Sequence, residues 1–393
     1  MDSINGFARL LAVGARGFGE RAEALSAPAE DGYVQVLERV THRLAERASR
    51  FAREHGEASV LLAELLRLPP AHRSLQVKNG ERFRSLALAR ALLEASGRRA
   101  VLDPAEGAGL AELVLELCDS LEVSVYGGGM VADTRALAWA QVADCRRREG
   151  RADGAERALV RADGHLRQGT GEALVGARLL AVEAALRRSQ MSLGESERLL
   201  GRAVRLYRAA GDELHLGRTL LQQAELAHDA GDYRRARWSV RQAIRRLRRV
   251  APSRELEEAR QLLVSCEVEL GGFAGAERLL ADLGPNFEED PRLPLRRRWL
   301  AGRVASGLGR HAHAEEELGA ARHGFEEIGA QGEAALVALD LAALYHRAGR
   351  PEDMARQVAE VLPYFALHAS HRELSVASRR LLETSGALWA AQA

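Results

Sequence analysis

One residue position recurs along this chain at a nearly constant interval, and that recurrence limits the possible folds more than any other feature. Gly150, Gly231, Gly271, Gly309 and Gly349 each follow a run of small and apolar residues, and Met191 takes the same place in one further segment. The six markers are separated by 41, 40, 40, 38 and 40 positions. Five positions after each comes Ala155, Ser196, Ala236, Ala276, Ala314 or Met354, and four beyond that Leu159, Val240, Leu280, Leu318 or Val358 follow in five of the six copies. Similarity at a fixed period is the signature of a repeat array and not of an ordinary globular domain.

Each copy predicts a helical hairpin. Glycine adopts the left-handed conformation that ends a first helix, the small residue lets a second helix approach closely, and the apolar residue one turn later seals the pair. A single hairpin leaves an apolar face bare until the next one stacks on it. The segment "EAALVALDLAALYHRAG" is apolar almost all round, as a helix packed on both sides must be.

Composition agrees with helices throughout. Ala, Leu, Arg and Glu dominate, alternating apolar/polar runs are missing, and no proline interrupts residues 105–251. Asp103-Pro104-Ala105-Glu106 carries a cap acceptor, a proline suited to the first helical position and a glutamate in the first turn. Ser192-Leu-Gly-Glu195 and Ser370-His-Arg-Glu373 have the related S-x-x-E form.

The charges nearly cancel, with Lys+Arg 56 against Asp+Glu 55, so no global field draws polyanions. Lys78 is the sole lysine, an arginine bias that fits a GC-rich bacterial genome. Three cysteines, Cys118, Cys145 and Cys266, are too far apart for a metal knuckle and odd in number, so reduced cytoplasm is the expected compartment. No apolar run reaches the length that spans a membrane.

On these residues the chain resembles the tetratricopeptide repeat family. The first copy has Trp139, Val142, Ala143, Gly150, Ala155, Leu159 and Ala162 at the family's spacing, and the last has Leu341, Ala342, Tyr345 and Gly349. The period is longer than the family unit of about 34 residues, which calls for longer helices or connections. The resemblance implies an all-α, right-handed superhelical solenoid that binds a partner, like the arrays of high-GC soil bacteria. Residues 1–80 are read as an N-terminal helical cap of unknown role, 81–133 as a divergent first helix pair, 134–365 as six repeats and 366–393 as a C-terminal capping helix. Within the cap, residues 31–68 read as one long and one shorter helix.

Chemistry-bearing motifs are few. "YGGGMVAD", residues 126–133, lacks the preceding strand and following Lys-Ser/Thr of a phosphate loop and reads as a flexible hinge. His311, His313, Glu315 and Glu316 could hold a metal, but His-x-His on a helix points its rings apart, and a solvated turn is favoured. No nucleophile or metalloprotease motif occurs. We therefore expect no enzyme, no cofactor and no metal.

Two surfaces compete for the partner. Residues 232–250 carry eight arginines between Arg234 and Arg249. They can be read as a solvated outer face, as a dock for an acidic protein or, least in keeping with the near-neutral charge, as a nucleic-acid arm. The resemblance points instead to a concave groove lined by the first helices. Carrying the family's groove positions onto the copies gives Asp144, Arg147 and Arg148, then Arg178 and Arg188, then Arg218, Glu225 and His228. Gln261 and Ser265 follow, then Arg296, Trp299 and Arg303, and finally His346 and Arg347. Arginine dominates that set, so the expected ligand is an acidic protein or peptide segment held by bidentate bonds, with Trp299 as an apolar anchor. On this reading Arg241 and Arg245 matter little. A regulatory sensor of transcription or signalling, acting through a partner, is the alternative.

Overall fold

The computed structural model describes residues 31–249, 254–283, 290–367, 374, 377 and 378. Every regular element among these residues is a helix, and the chain is all-α as its composition required. Contacts divide it into two units, the described part of Met1–Glu149 with Val160–Gly171, and Gly150–Leu159 with the described part of Glu172–Ala393. The array expected over 134–365 therefore has residues in both.

The first unit contains α1 (Asp31–Arg67), α2 (Pro70–Asn79), a 3-10 turn (Glu81–Phe83), α3 (Leu86–Arg99), α4 (Pro104–Ser120), α5 (Val123–Tyr126) and α6 (Gly128–Arg148). Where the sequence suggested two helices across residues 31–68, α1 runs unbroken for 37 residues. Gly56 sits exposed in its middle, where a glycine costs only about 1 kcal/mol against alanine and does not end a helix. The predicted start at Pro104 is present: the Asp103 carboxylate accepts from the amides of Ala105 and Glu106 at 2.9 and 3.0 Å. Leu65, Phe83, Leu88, Leu92, Leu110 and Leu117 form the centre of the core.

The "YGGGMVAD" stretch differs from the hinge expected of it. Gly127 takes φ +82°, and α6 begins at the next residue. Tyr126 is buried, stacks on Phe51 and donates its hydroxyl to Glu54 at 2.7 Å. Asp133, also buried, accepts from the Thr170 amide at 3.1 Å. Three glycines suggested looseness, but the residues that flank them anchor the segment.

Helix α7 (Ala152–Leu166) contributes to both units. The second unit continues with α8 (Ala173–Ser189), α9 (Leu193–Ala209), α10 (Glu213–Asp229), α11 (Tyr233–Leu247), α12 (Arg254–Glu269), α13 (Phe273–Ala281), α14 (Arg292–Gly307), α15 (His311–Glu327), α16 (Gln331–Arg347) and α17 (Pro351–Leu367). Helices of up to 17 residues, joined by three-residue turns, account for the period of 40 and for its excess over the family unit.

The markers behave as predicted. Gly150, Gly231, Gly271, Gly309 and Gly349 have φ between +69° and +80°, and among the described residues Met191 is the one non-glycine with positive φ, at +60°. At Met191 the amide bonds to the Arg188 carbonyl at 3.0 Å and the next amide, of Ser192, to the Arg187 carbonyl at 2.9 Å. That pair of bonds is the Schellman cap, which satisfies carbonyls a helix end would otherwise leave bare. Gly211 and Gly329 build the same cap where one hairpin passes to the next, a second glycine series the marker alignment did not register.

Packing follows from the turns. Ala155, Ser196, Ala236, Ala276 and Ala314 are fully buried, while Met354 is partly exposed. One cluster runs from Ala177 on α8 through Leu220, Val240 and Leu247 to Leu256 and Leu263 on α12. Helix α16 faces two clusters, with Val337, Leu341 and Leu344 in one and Ala335, Ala338 and Leu339 in the other. Its all-round apolar character has that cause. Beyond Leu367 only three positions of the expected capping helix are described. One of them, Ala377, is buried against the second of these clusters. The rest of that helix, the cap at Ser370 and residues 1–30 lie outside the described residues.

Candidate functional site

The groove positions of the second unit fall on successive first helices, α8, α10, α12, α14 and α16. The side chains there are tied to one another across the repeats. Arg188 on α8 reaches α10, binding Glu225 and, at 2.6 Å, Asp229. Arg218 on α10 reaches Glu255 on α12 at 2.6 Å, and His228 meets the Ser265 hydroxyl at 3.0 Å. Gln261 donates to the Leu293 carbonyl at 3.0 Å. Arg296 on α14 faces Glu333 on α16 at 3.5 Å. Arg303 lies between Glu269 at 2.9 Å and Asp340 at 3.5 Å. Arg347 donates to the Ser306 hydroxyl at 2.6 Å.

The face is thus an ionic ladder of balanced charge, where the sequence list suggested a basic surface. Asp229, Glu255, Glu269, Glu333 and Asp340 were absent from that list, although each pairs with one of its arginines. A signal for them existed: many of these pairs are 37 or 41 positions apart, one repeat minus three or plus one. Burial disfavours the Arg188 and Arg303 cations, but their flanking carboxylates outweigh it and hold both pKa values above the ordinary arginine value. These guanidiniums are charged, oriented and already engaged. Glu258, largely buried on α12, has its pKa raised by that burial, even though Arg254 lies 2.7 Å away.

Trp299 is also engaged. Its indole donates to Asp340 at 2.5 Å and meets Phe325 edge to face at 6.1 Å. In the first unit, Arg147 and Arg148 both clamp Asp144 within α6, at 2.7 and 2.9 Å. Burial would raise the Asp144 pKa, but the two cations outweigh it and hold the carboxyl well below the usual range. His346 is partly buried, and its imidazole has no hydrogen bond or ion pair among the described residues.

Three neighbouring groups of the ladder are uncommitted. Arg178 on α8 has no carboxylate partner among the described residues, and it shares the electrostatic environment of Tyr207 with Arg218. Arg218 Nε and Gln222 Oε1, one turn apart on α10, are shielded from solvent and have no hydrogen-bond partner. Together they present a cation, an N–H donor and an amide acceptor.

Elsewhere the groups that could do covalent chemistry are quiet. Cys118, Cys145 and Cys266 are buried, and burial pushes their thiols up to about 12, 11 and 12, where the nucleophilic thiolate is scarce. Glu315, considered with His311 as a metal pair, instead accepts from the Tyr345 hydroxyl at 2.9 Å and binds Arg350 at 2.8 Å. No helix among the described residues is long and apolar enough to cross a membrane.

No family model matches this sequence, and no curated protein matches it in a sequence search. Solved structures do share its fold. A Rap protein complexed with Competence and Sporulation Factor superposes with a TM-score of 0.56 at 12% identity, over 75% of this chain and 80% of that one. Aspartyl phosphate phosphatase F from Bacillus subtilis superposes with a TM-score of 0.54 at 11% identity, over 93% of each chain. At such identities the likeness is one of architecture alone: an all-α helical-repeat solenoid.

Proposed function

We propose that this chain is a non-catalytic helical-repeat adaptor that binds an acidic protein or peptide segment along the first helices of its second unit. Arg178 receives a carboxylate, while Arg218 Nε and Gln222 Oε1 receive the carbonyl and amide of one peptide group. The observation that carries this reading is that pair of solvent-shielded, unbonded polar atoms beside an uncommitted guanidinium. A buried donor or acceptor without a partner costs about 1–3 kcal/mol, so a ligand that supplies both partners gains by relieving that cost. The surrounding ladder holds the first helices in register and pre-organises the surface, which lowers the ordering cost of binding. The neighbour solved with Competence and Sporulation Factor supports the reading by example. The buried, high-pKa thiols and the paired carboxylates argue for binding and against catalysis.

Peptides selected from a displayed random library against the whole chain supply the test. Titration of the tightest should show acidic residues and micromolar affinity, about −8 kcal/mol. Arg178→Ala with Gln222→Ala should weaken it at least tenfold at unchanged melting temperature. Equal affinity for the double variant, or selection of basic peptides, overturns the proposal.

A further inference from the structure

The arginines of the second unit are sorted into two populations. Those on the first helices are mostly engaged, as described. On the second helices α9 and α11 a different arrangement holds. The flanks of α11 are paired: Arg235 with Glu197, Arg237 and Arg241 with Glu267 at 3.2 and 3.1 Å, and Arg246 with Glu213 at 2.9 Å. Its outermost line is not. Arg234, Arg245 and Arg248 are exposed and have no ion pair among the described residues. Trp238, on the same line, is 62% exposed. Arg234, Trp238, Arg245 and Arg248 stand at i, i+4, i+11 and i+14, which is one face of a helix, and Arg241, paired with Glu267, lies along the same face at i+7. The opposite face buries Ala236, Val240, Ala243 and Leu247. On α9, Arg202 and Arg205 are exposed and likewise unpaired among the described residues. The Arg235–Glu197 bridge ties α9 to α11 directly, so the two sets form one surface.

We propose that this α9–α11 surface is a docking site for an acidic segment of a partner protein, with Trp238 as its apolar anchor. The inference goes beyond the first-helix reading and does not depend on it. Charge complementarity selects the occupant. From Arg234 to Arg248 is fourteen residue steps, or about 21 Å of helix at 1.5 Å per residue, the length of a partner helix of about four turns. A solvated face has no use for a large exposed indole between unpaired guanidiniums. Trp and Arg are the residue types most enriched at interface hot spots, and guanidiniums bind carboxylates through paired bonds. Nucleic acid fits less well, because Glu197 on α9, Glu213 on α10 and Glu267 on α12 pair with arginines of α11 and border this surface with negative charge, and the net charge is only +1.

The experiment uses the full chain and a fluorescein-labelled synthetic 15-residue helical peptide with glutamates at i, i+4, i+7 and i+11 around a central leucine. Its lysine counterpart and a single-stranded oligonucleotide of similar length serve as competing probes. Fluorescence anisotropy should show saturable binding of the glutamate peptide that weakens at least tenfold between about 50 and 200 mM salt. Arg234→Glu with Arg245→Glu should weaken it at least tenfold, and so should Trp238→Ser alone, with far-UV circular dichroism unchanged. No saturable binding, equal binding of the lysine peptide, tighter binding of the oligonucleotide, or indifference to both sets of substitutions would each overturn the proposal.

Discussion

Replacing Arg188 by methionine tests whether the ionic ladder holds the repeats together. The Arg188 side chain is 17% exposed and that of Asp229 only 2%, with Glu225 at 33% completing the triad. Methionine keeps the aliphatic volume and removes the cation that neutralises both carboxylates. Breaking a buried pair by deleting one partner costs about 3–5 kcal/mol. For a unit of this size each kcal/mol shifts melting by about 2–4 °C, so the drop should be roughly 6–20 °C. Repeat arrays need not unfold in one step, and the loss should appear in the transition that includes α8 and α10. The companion variant Arg188→Met with Glu225→Gln and Asp229→Asn removes the charges together and should recover most of the loss, because a neutral buried set has no uncompensated ion. Scanning calorimetry and circular dichroism at pH 7 give the readout. If the single variant melts within about 2 °C of the parent, or the triple variant melts as low as the single, the ladder does not carry the stability assigned to it.

Three further outcomes follow from individual residues. Burial raises the Glu258 pKa, so its contribution is fully present below the ordinary value of 4.5 and is lost as pH rises through the folded value. Glu258→Gln should therefore melt higher than the parent at pH 7 and match it below about pH 4; a variant less stable at pH 7 contradicts this. Asp144 has the opposite sign, since Arg147 and Arg148 outweigh its burial and lower its pKa. Its stabilisation is present above 3.8 and fades as pH falls, so Asp144→Asn should lose stability at pH 7 and converge with the parent in acid, checked by urea titration across pH. Met191→Gly should stabilise by about 0.5–1 kcal/mol, because a left-handed non-glycine residue costs about 1–2 kcal/mol and added freedom in the unfolded chain returns part of that. A lower denaturation midpoint would show that the Met191 side chain matters more than its backbone strain.

The repeat could be read from the sequence because its determinants are local. A left-handed helix end needs glycine, and a close helix approach needs alanine or serine five positions later. Those demands are written into single residues, so the period, the hairpins and even the degenerate copy at Met191 were legible. The family's groove positions fall on the first helices of successive hairpins. What the sequence did not settle was which of those side chains are occupied. An arginine on one first helix looks the same whether or not the next repeat places a carboxylate opposite it, and that depends on the stacking offset, which turns a separation of 37 or 41 positions into contact. Only the tertiary structure showed Trp299 bonded to Asp340 and Arg303 held between two acids. Among the described residues, the same geometry left Arg178, Gln222 Oε1 and the α11 arginines Arg234, Arg245 and Arg248 without partners. Local conformation is a property of a few adjacent residues, whereas the pairing of charges belongs to two helices a whole repeat apart, and stacking alone decides it.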